Sequence, residues 1–198
     1  MARAPDQAKR VSILKAARTI LLRDGYAAAK MSDIATEAGV APGTLYLYFE
    51  NKEALAGAIG EELLERVSSQ FLRVIKNLDS PEGVLALLDW SLKVGRQERD
   101  VFAMMKQTKS PEKGPPPAMA LFIQRLAETL AGFISKGSIR YYDDPVNLAN
   151  IILAITHRMI MSCALYDDTE PERLKAAGAE VLNHALFDDE QLKRLLGK

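Results

Sequence analysis

Cysteine occurs once in these 198 residues, tryptophan once and histidine twice. The lone thiol, Cys163, cannot close an intramolecular disulfide. It lies in an apolar run, as a small buried hydrophobe of a protein kept in a reducing compartment. His157 and His184 are the whole imidazole supply, and no Cys/His cluster stands at ligand spacing, so neither a metal nor another cofactor is expected. No glycine-rich phosphate loop follows a strand, and an enzyme here would have to work with carboxylates alone. Net charge is missing too: Lys plus Arg is 26 and Asp plus Glu is 26. The balance is uneven, with eight basic and five acidic residues up to Lys52 (+3) and 18 against 21 after it (−3). A difference of this size fits chance, and it also fits a protein that offers one end to phosphates. Long apolar runs are lacking as well. The most apolar stretch, "IILAITHRMIMSCALY" (Ile151–Tyr166), stops short of a bilayer and holds His157 and Arg158 at its centre. Met1–Gln7 is polar and no apolar signal core follows. A soluble cytoplasmic protein with no membrane partner is the expectation.

What the chain has is helix. "KRVSILKAARTILLRDGYAA" puts Ile13, Leu14, Ala17, Ile20 and Leu21 on one face, with Gly25 expected as a left-handed cap. Ser32 is expected to cap the next helix, whose small apolar face is Ile34, Ala35 and Ala38, and Gly39 stops it. Pro42 suits the first position of a brief third helix. Asn51 caps "KEALAGAIGEELLERVSSQFLRVIKNL". Ser80-Pro81 opens a further helix, "DVFAMMKQTK" follows, and "SPEKGPPP" (Ser110–Pro117) reads as a loop. "AMALFIQRLAETLAGFISKG", "PVNLANIILAITHRMIMSCALY" and "PERLKAAGAEVLNHALF" are the remaining long helices, with a short amphipathic tail after Asp188. No strand, repeat or linker is apparent, and the fold class is all-α.

A helix as short as Pro42–Phe49 is not stable alone and must be held by packing. Leu45 and Phe49, one turn apart, form its inward face. Gly43, Thr44, Leu47 and Tyr48 are candidates for the outward face, with Tyr46 about 100° round from Leu45. Helix, glycine-containing turn and short second helix make a helix-turn-helix, which can place its second helix in a DNA major groove. The same residues also suit half-buried positions of an ordinary all-α protein.

The full string "MSDIATEAGVAPGTLYLYFENKEAL" resembles the N-terminal signature of the TetR family of bacterial transcriptional regulators, over about Arg10 to Ala58. The resemblance implies a three-helix DNA-binding domain at residues 1–52 and a larger helical effector-binding and dimerisation domain at 53–198. It implies a homodimer, paired through the last two long helices, that binds a palindromic double-stranded DNA operator as a repressor. A small, hydrophobic effector would release it. Thr44, Tyr46, Tyr48 and Lys52 fall where the family meets DNA. Two positions depart from the pattern: Ala41 stands where Ser or Thr is frequent, and Tyr48 where histidine is. The DNA-binding set is Lys30, Ser32, Ala41, Gly43, Thr44, Tyr46, Leu47, Tyr48 and Lys52. The Ser32-Asp33 and Gly43-Thr44 amides and the two phenols suit phosphates, and Lys52, poorly placed for its own helix dipole, suits one too. Between Val40 and Phe49 there is no Arg, Asn or Gln, so base reading falls to Thr44, Leu47, Lys30 and DNA shape.

For the effector, the expected lining is Trp90, Phe102, Met104, Met105, Phe122 and Met159, with His157 and Arg158 as polar anchors. Each of these also suits plain core, and Arg158 suits a structural carboxylate such as Asp89. Two other functions stay open: an architectural or cell-division factor on the same fold that needs no inducer, and an all-α enzyme.

Overall fold

The computed structural model describes residues 6–108, 117–166 and 170–197. Among them there are ten α-helices, one 3-10 turn and no strand. Of the loop expected at Ser110–Pro117, residues 110–116 lie outside the described residues and Pro117 already begins a helix. By packing, the chain falls into two units, one of residues 6–66 and 100–108, the other of 67–99 and the described residues from 117 on.

The first unit starts with α1 (Gln7–Ala28), capped by the Asp6 carboxylate on the Ala8 N–H. Its stripe Ile13, Leu14, Ala16, Ala17, Ile20 and Leu21 is buried, as the spacing requires. Gly25 does break the helix, but at φ 80 and ψ 155 it is not the left-handed cap expected. A short helical stretch resumes after it to Ala28, and the Ala29 N–H closes on Gly25 O at 3.1 Å. Next come α2 (Met31–Glu37) and α3 (Pro42–Tyr48), then α4 (Lys52–Val74), which begins with the Asn51 carboxamide accepting from the Ala54 N–H at 2.8 Å. Leu55, Ala56, Ile59 and Leu63 give α4 its buried face in this unit. Helix α6 (Arg99–Gln107) joins the same unit, with the Met105 side chain laid on Gly60 of α4.

In the second unit, α4 passes through a 3-10 turn (Ile75–Asn77) to α5 (Pro81–Gln97), opened by Ser80 as cap and Pro81 in the first turn. Helices α7 (Pro117–Ser135), α8 (Pro145–Leu165), α9 (Pro171–Leu186) and α10 (Asp189–Leu195) complete it. Helix α5 packs on α8 and α9, and α8 also meets α7. The core is aliphatic, with Leu87, Leu88, Leu126, Leu130, Ile152 and Leu182 fully buried. It is rounded out by an aromatic trio in which Phe71 stands edge-on to Trp90 (5.6 Å between centroids) and to Phe122 (5.2 Å).

Helix α8 is longer than the apolar run suggested: 21 residues of mean hydropathy up to 1.6, a spanning length by composition alone. One of its faces is nonetheless core, through Leu148, Ala149, Ile152, Thr156 and Met159. The segment after α7 satisfies the carbonyl end of α9. The Arg140 N–H donates to Leu186 O (2.7 Å), its guanidinium to His184 O (3.2 Å), and the Tyr142 hydroxyl to Ala185 O (2.5 Å). A capping box at Asp188 and Gln191 starts α10.

Candidate nucleic-acid interface

Helix α2 ends because its last carbonyls are taken by the turn. The Ala38 N–H donates to Ile34 O (2.9 Å), Gly39 to Thr36 O (3.1 Å) and Val40 to Ala35 O (3.0 Å). That fold-back needs a positive φ, and Gly39 supplies it at 67°. Ala41 is then extended (φ −65°, ψ 145°) and Pro42 opens α3 with φ already set. Leu45 (0 % exposed) and Phe49 (5 %) anchor α3 as the spacing predicted. Leu47 (80 % exposed) and Tyr46 (54 %) are its exposed large hydrophobic side chains. Tyr46, not Tyr48, is therefore the outward tyrosine. The phenol oxygen of Tyr48 accepts the Asp6 N–H at 2.9 Å, tying α3 to the start of α1, and its own proton has no acceptor among the described residues.

Lys30, Ser32, Ala41 and Gly43 are exposed and Thr44 is half-buried. Ser32 does not cap α2. The capping position is Lys30, with no side-chain cap, and the Ser32 hydroxyl instead donates to the Asp33 carboxylate at 3.1 Å. Two of the four amides expected to face phosphates are already used inside their own turns. Asp33 N–H donates to Lys30 O (3.2 Å) and Thr44 N–H to Ala41 O (2.9 Å). The Ser32 and Gly43 amides remain as candidates.

Lys52 also departs from expectation. Its ammonium is not waiting for an external anion: Nζ donates to Ala27 O (3.2 Å) and Ala29 O (2.9 Å) and lies 4.8 Å from the centre of the Tyr26 ring. A cation misplaced for the dipole of α4 is well placed for the carbonyls that close α1. Burial, with Glu53 nearby, holds the Tyr26 phenol above its ordinary pKa. On the same unit Arg23 grips Asp24 through two nitrogens (2.7 and 2.9 Å), which lowers the carboxyl pKa and raises that of the guanidinium. Asp33 and Glu37 of α2 add to that field at Arg23. Arg10 covers the Phe49 ring at 5.5 Å.

The effector set is split. Trp90, Phe122 and Met159 meet in or against the core of the second unit, whereas Phe102, Met104 and Met105 lie on α6 in the first. His157 and Arg158 are exposed on α8, so they do not serve as buried anchors. Arg158 sits over Tyr166 (5.5 Å), and Asp89, suggested as its partner, is held by Lys175 at 2.9 Å. Glu172 and then Asp89 raise the Lys175 pKa. Phe71, which is not in the expected lining, joins Trp90 to Phe122. The contacts of Lys52 and Tyr48 cross 23 to 42 residues and left no local signal.

Residues 13–59 match the family described as "Bacterial regulatory proteins, tetR family". The fatty acid metabolism regulator protein of Bacillus subtilis (strain 168) is 35 % identical over 80 residues, 40 % of this chain and 41 % of that protein. The chain thus aligns with only about two-fifths of that relative's length. A putative TetR-family regulator from Mesorhizobium loti superposes with a TM-score of 0.68 at 17 % identity, over 91 % of this chain and 98 % of the other. The FadR regulator of Bacillus subtilis in complex with stearoyl-CoA does so at 0.59 and 19 %, over 87 % and 96 %. At these identities the structural likeness is one of fold: an N-terminal helix-turn-helix unit with a helical remainder.

Proposed function

We propose that this chain, whose residues 13–59 match the TetR family of bacterial regulatory proteins, is a cytoplasmic DNA-binding transcriptional repressor released by a small effector. The observation that carries this reading is the outer face of α3. Leu47 and Tyr46 stand in solvent on a helix whose inner face, Leu45 and Phe49, is locked. A leucine 80 % exposed on a helix of groove-fitting size suits thymine methyl groups, and the Tyr46 and Tyr48 hydroxyls and the Gly43 amide suit phosphates. Residues 1–52 are the reading head and 53–198 the effector and dimerisation part, and the work is binding and not turnover.

One recognition helix per chain binds weakly, and two held about 34–36 Å apart address successive major grooves. Pairing through α8 and α9 is supported by Ile151 (45 % exposed) and Val181 (54 %) and by a shallow apolar groove of about 330 Å³. Ala154, Ile155, Met159, Leu174 and Gly178 line that groove. FadR was captured with stearoyl-CoA, and a hydrophobic effector is proposed here also. The test is selection of bound duplexes from a random pool, followed by sizing of the complex by light scattering. A palindromic consensus held by a dimer is the expected result. No enriched sequence, or tight binding by a monomer, overturns the proposal.

A further inference from the structure

Beside the aromatic trio lies a cleft of about 300 Å³ within the second unit. Its walls are Gln70, Arg73 and Val74 of α4 and Trp90, Lys93 and Gln97 of α5, over Val94. We propose that this cleft binds a small organic carboxylate with an apolar body. The carboxylate lies between Arg73 and Lys93, and the body rests against Trp90, Val74 and Val94. The proposal deepens the effector reading and depends on it only for the consequence at DNA.

The charges argue for an anion. Neither Arg73 nor Lys93 has a carboxylate partner among the described residues. Around Arg73, one turn away on α4 and its extension, stand Ser69, Gln70, Lys76 and Asn77, none of them acidic. Around Lys93 the only carboxylate at that spacing is Asp89, and Lys175 already holds it. Two uncompensated cations on the walls of one concavity focus a positive potential into it, and no acidic residue lines the cleft to cancel it.

Shape and polarity argue for the rest of the ligand. The Trp90 indole N–H donates to Gln70 Oε1 at 3.3 Å, which fixes the ring. It also leaves the Gln70 amide hydrogens, with those of Gln97, to donate to carboxylate oxygens. The cleft volume lies at the small end of ligand pockets, roughly 300–1,000 Å³, so the body is short.

Trp90 is the single tryptophan of the sequence, so its emission reports on this cleft alone. Octanoate and its neutral counterpart octanamide, both transparent where tryptophan is excited, are titrated into the full chain. Octanoate is expected to shift the emission saturably and to bind about 10-fold more tightly than octanamide. Arg73→Gln and Lys93→Gln should each weaken octanoate up to about 5-fold, as for solvent-exposed ion pairs, and leave octanamide unchanged. The double variant should no longer distinguish acid from amide. Equal affinity for acid and amide in the native chain, or no saturable change with either, overturns the proposal. Octanoate binding that leaves DNA affinity unchanged upholds the site and overturns only its part in DNA release.

Discussion

Gly95 sets how closely α5 can approach α8. A Cβ built there would stand 2.4 Å from the Ile160 carbonyl oxygen, 3.1 Å from its carbon and 2.9 Å from Cys163 Cβ. Ordinary contact begins near 3.4 Å, so Gly95→Ala forces a retreat of about 1 Å at the carbonyl. That carbonyl is backbone in the middle of α8 and cannot turn aside, so the helices themselves must part. Overpacking of this kind costs about 1–3 kcal/mol, and a gap of 0.5–1 Å elsewhere along the seam gives up a quarter to a half of each dispersion contact. Against this, alanine gains about 1 kcal/mol over glycine in a helix interior. Since the backbone clash and the opened seam act together, the upper half of the overpacking range, about 2–3 kcal/mol, applies. The net effect should be a loss of about 1–2 kcal/mol, or roughly 2–8 °C in Tm for a chain of this size. Gly132→Ala, inside α7 of the same unit with nothing within 4 Å of the new Cβ, should keep the propensity gain and raise Tm. Both are read by circular dichroism melts at one fixed protein concentration, since self-association would otherwise shift Tm. A Gly95→Ala variant that melts with or above the native chain, while Gly132→Ala rises as stated, would refute the close crossing of α5 and α8.

Leu45→Ala, at a position with no exposure, should lose about 2–5 kcal/mol of stability in the helix-turn-helix unit and DNA binding with it. Leu47→Ala, two residues on, should melt within about 0.5 kcal/mol of native yet bind operator DNA more weakly in fluorescence anisotropy; unchanged affinity would remove Leu47 from the interface. Lys52→Ala should destabilise by about 1 kcal/mol through the lost bonds to Ala27 O and Ala29 O. If Lys52 also meets a phosphate, the same variant should weaken specific and random DNA alike and flatten the log–log salt dependence by about 0.9. An unchanged salt slope would confine Lys52 to its structural role.

The parts of this protein legible in the sequence are those decided within one or two turns of chain. Pro42, Ser80-Pro81, Asn51 and the residues after Asp188 start helices by local chemistry alone, satisfying or removing amides that any helix leaves open. Leu45 and Phe49 face inward because an i, i+4 pair must share a face. The family signature at residues 13–59 is local in the same sense, a string of such choices. The rest needed the folded chain. A helix apolar nearly all round does not say which face its neighbours cover, so His157 and Arg158 read as interior anchors and stand outside. Ser32 carries a capping side chain, yet α2 already begins at Met31 and the capping position falls on Lys30. Lys52 found carbonyls more than twenty residues back and Tyr48 an amide forty-two residues back, pairings that no spacing encodes. Helix α6 follows α5 in sequence yet packs with residues 6–66, so Met104 and Met105 belong to the first unit and Trp90 to the second. Propensity and periodicity act along the chain, whereas the partner of a charge, a phenol or an apolar face is set by which elements the fold brings together.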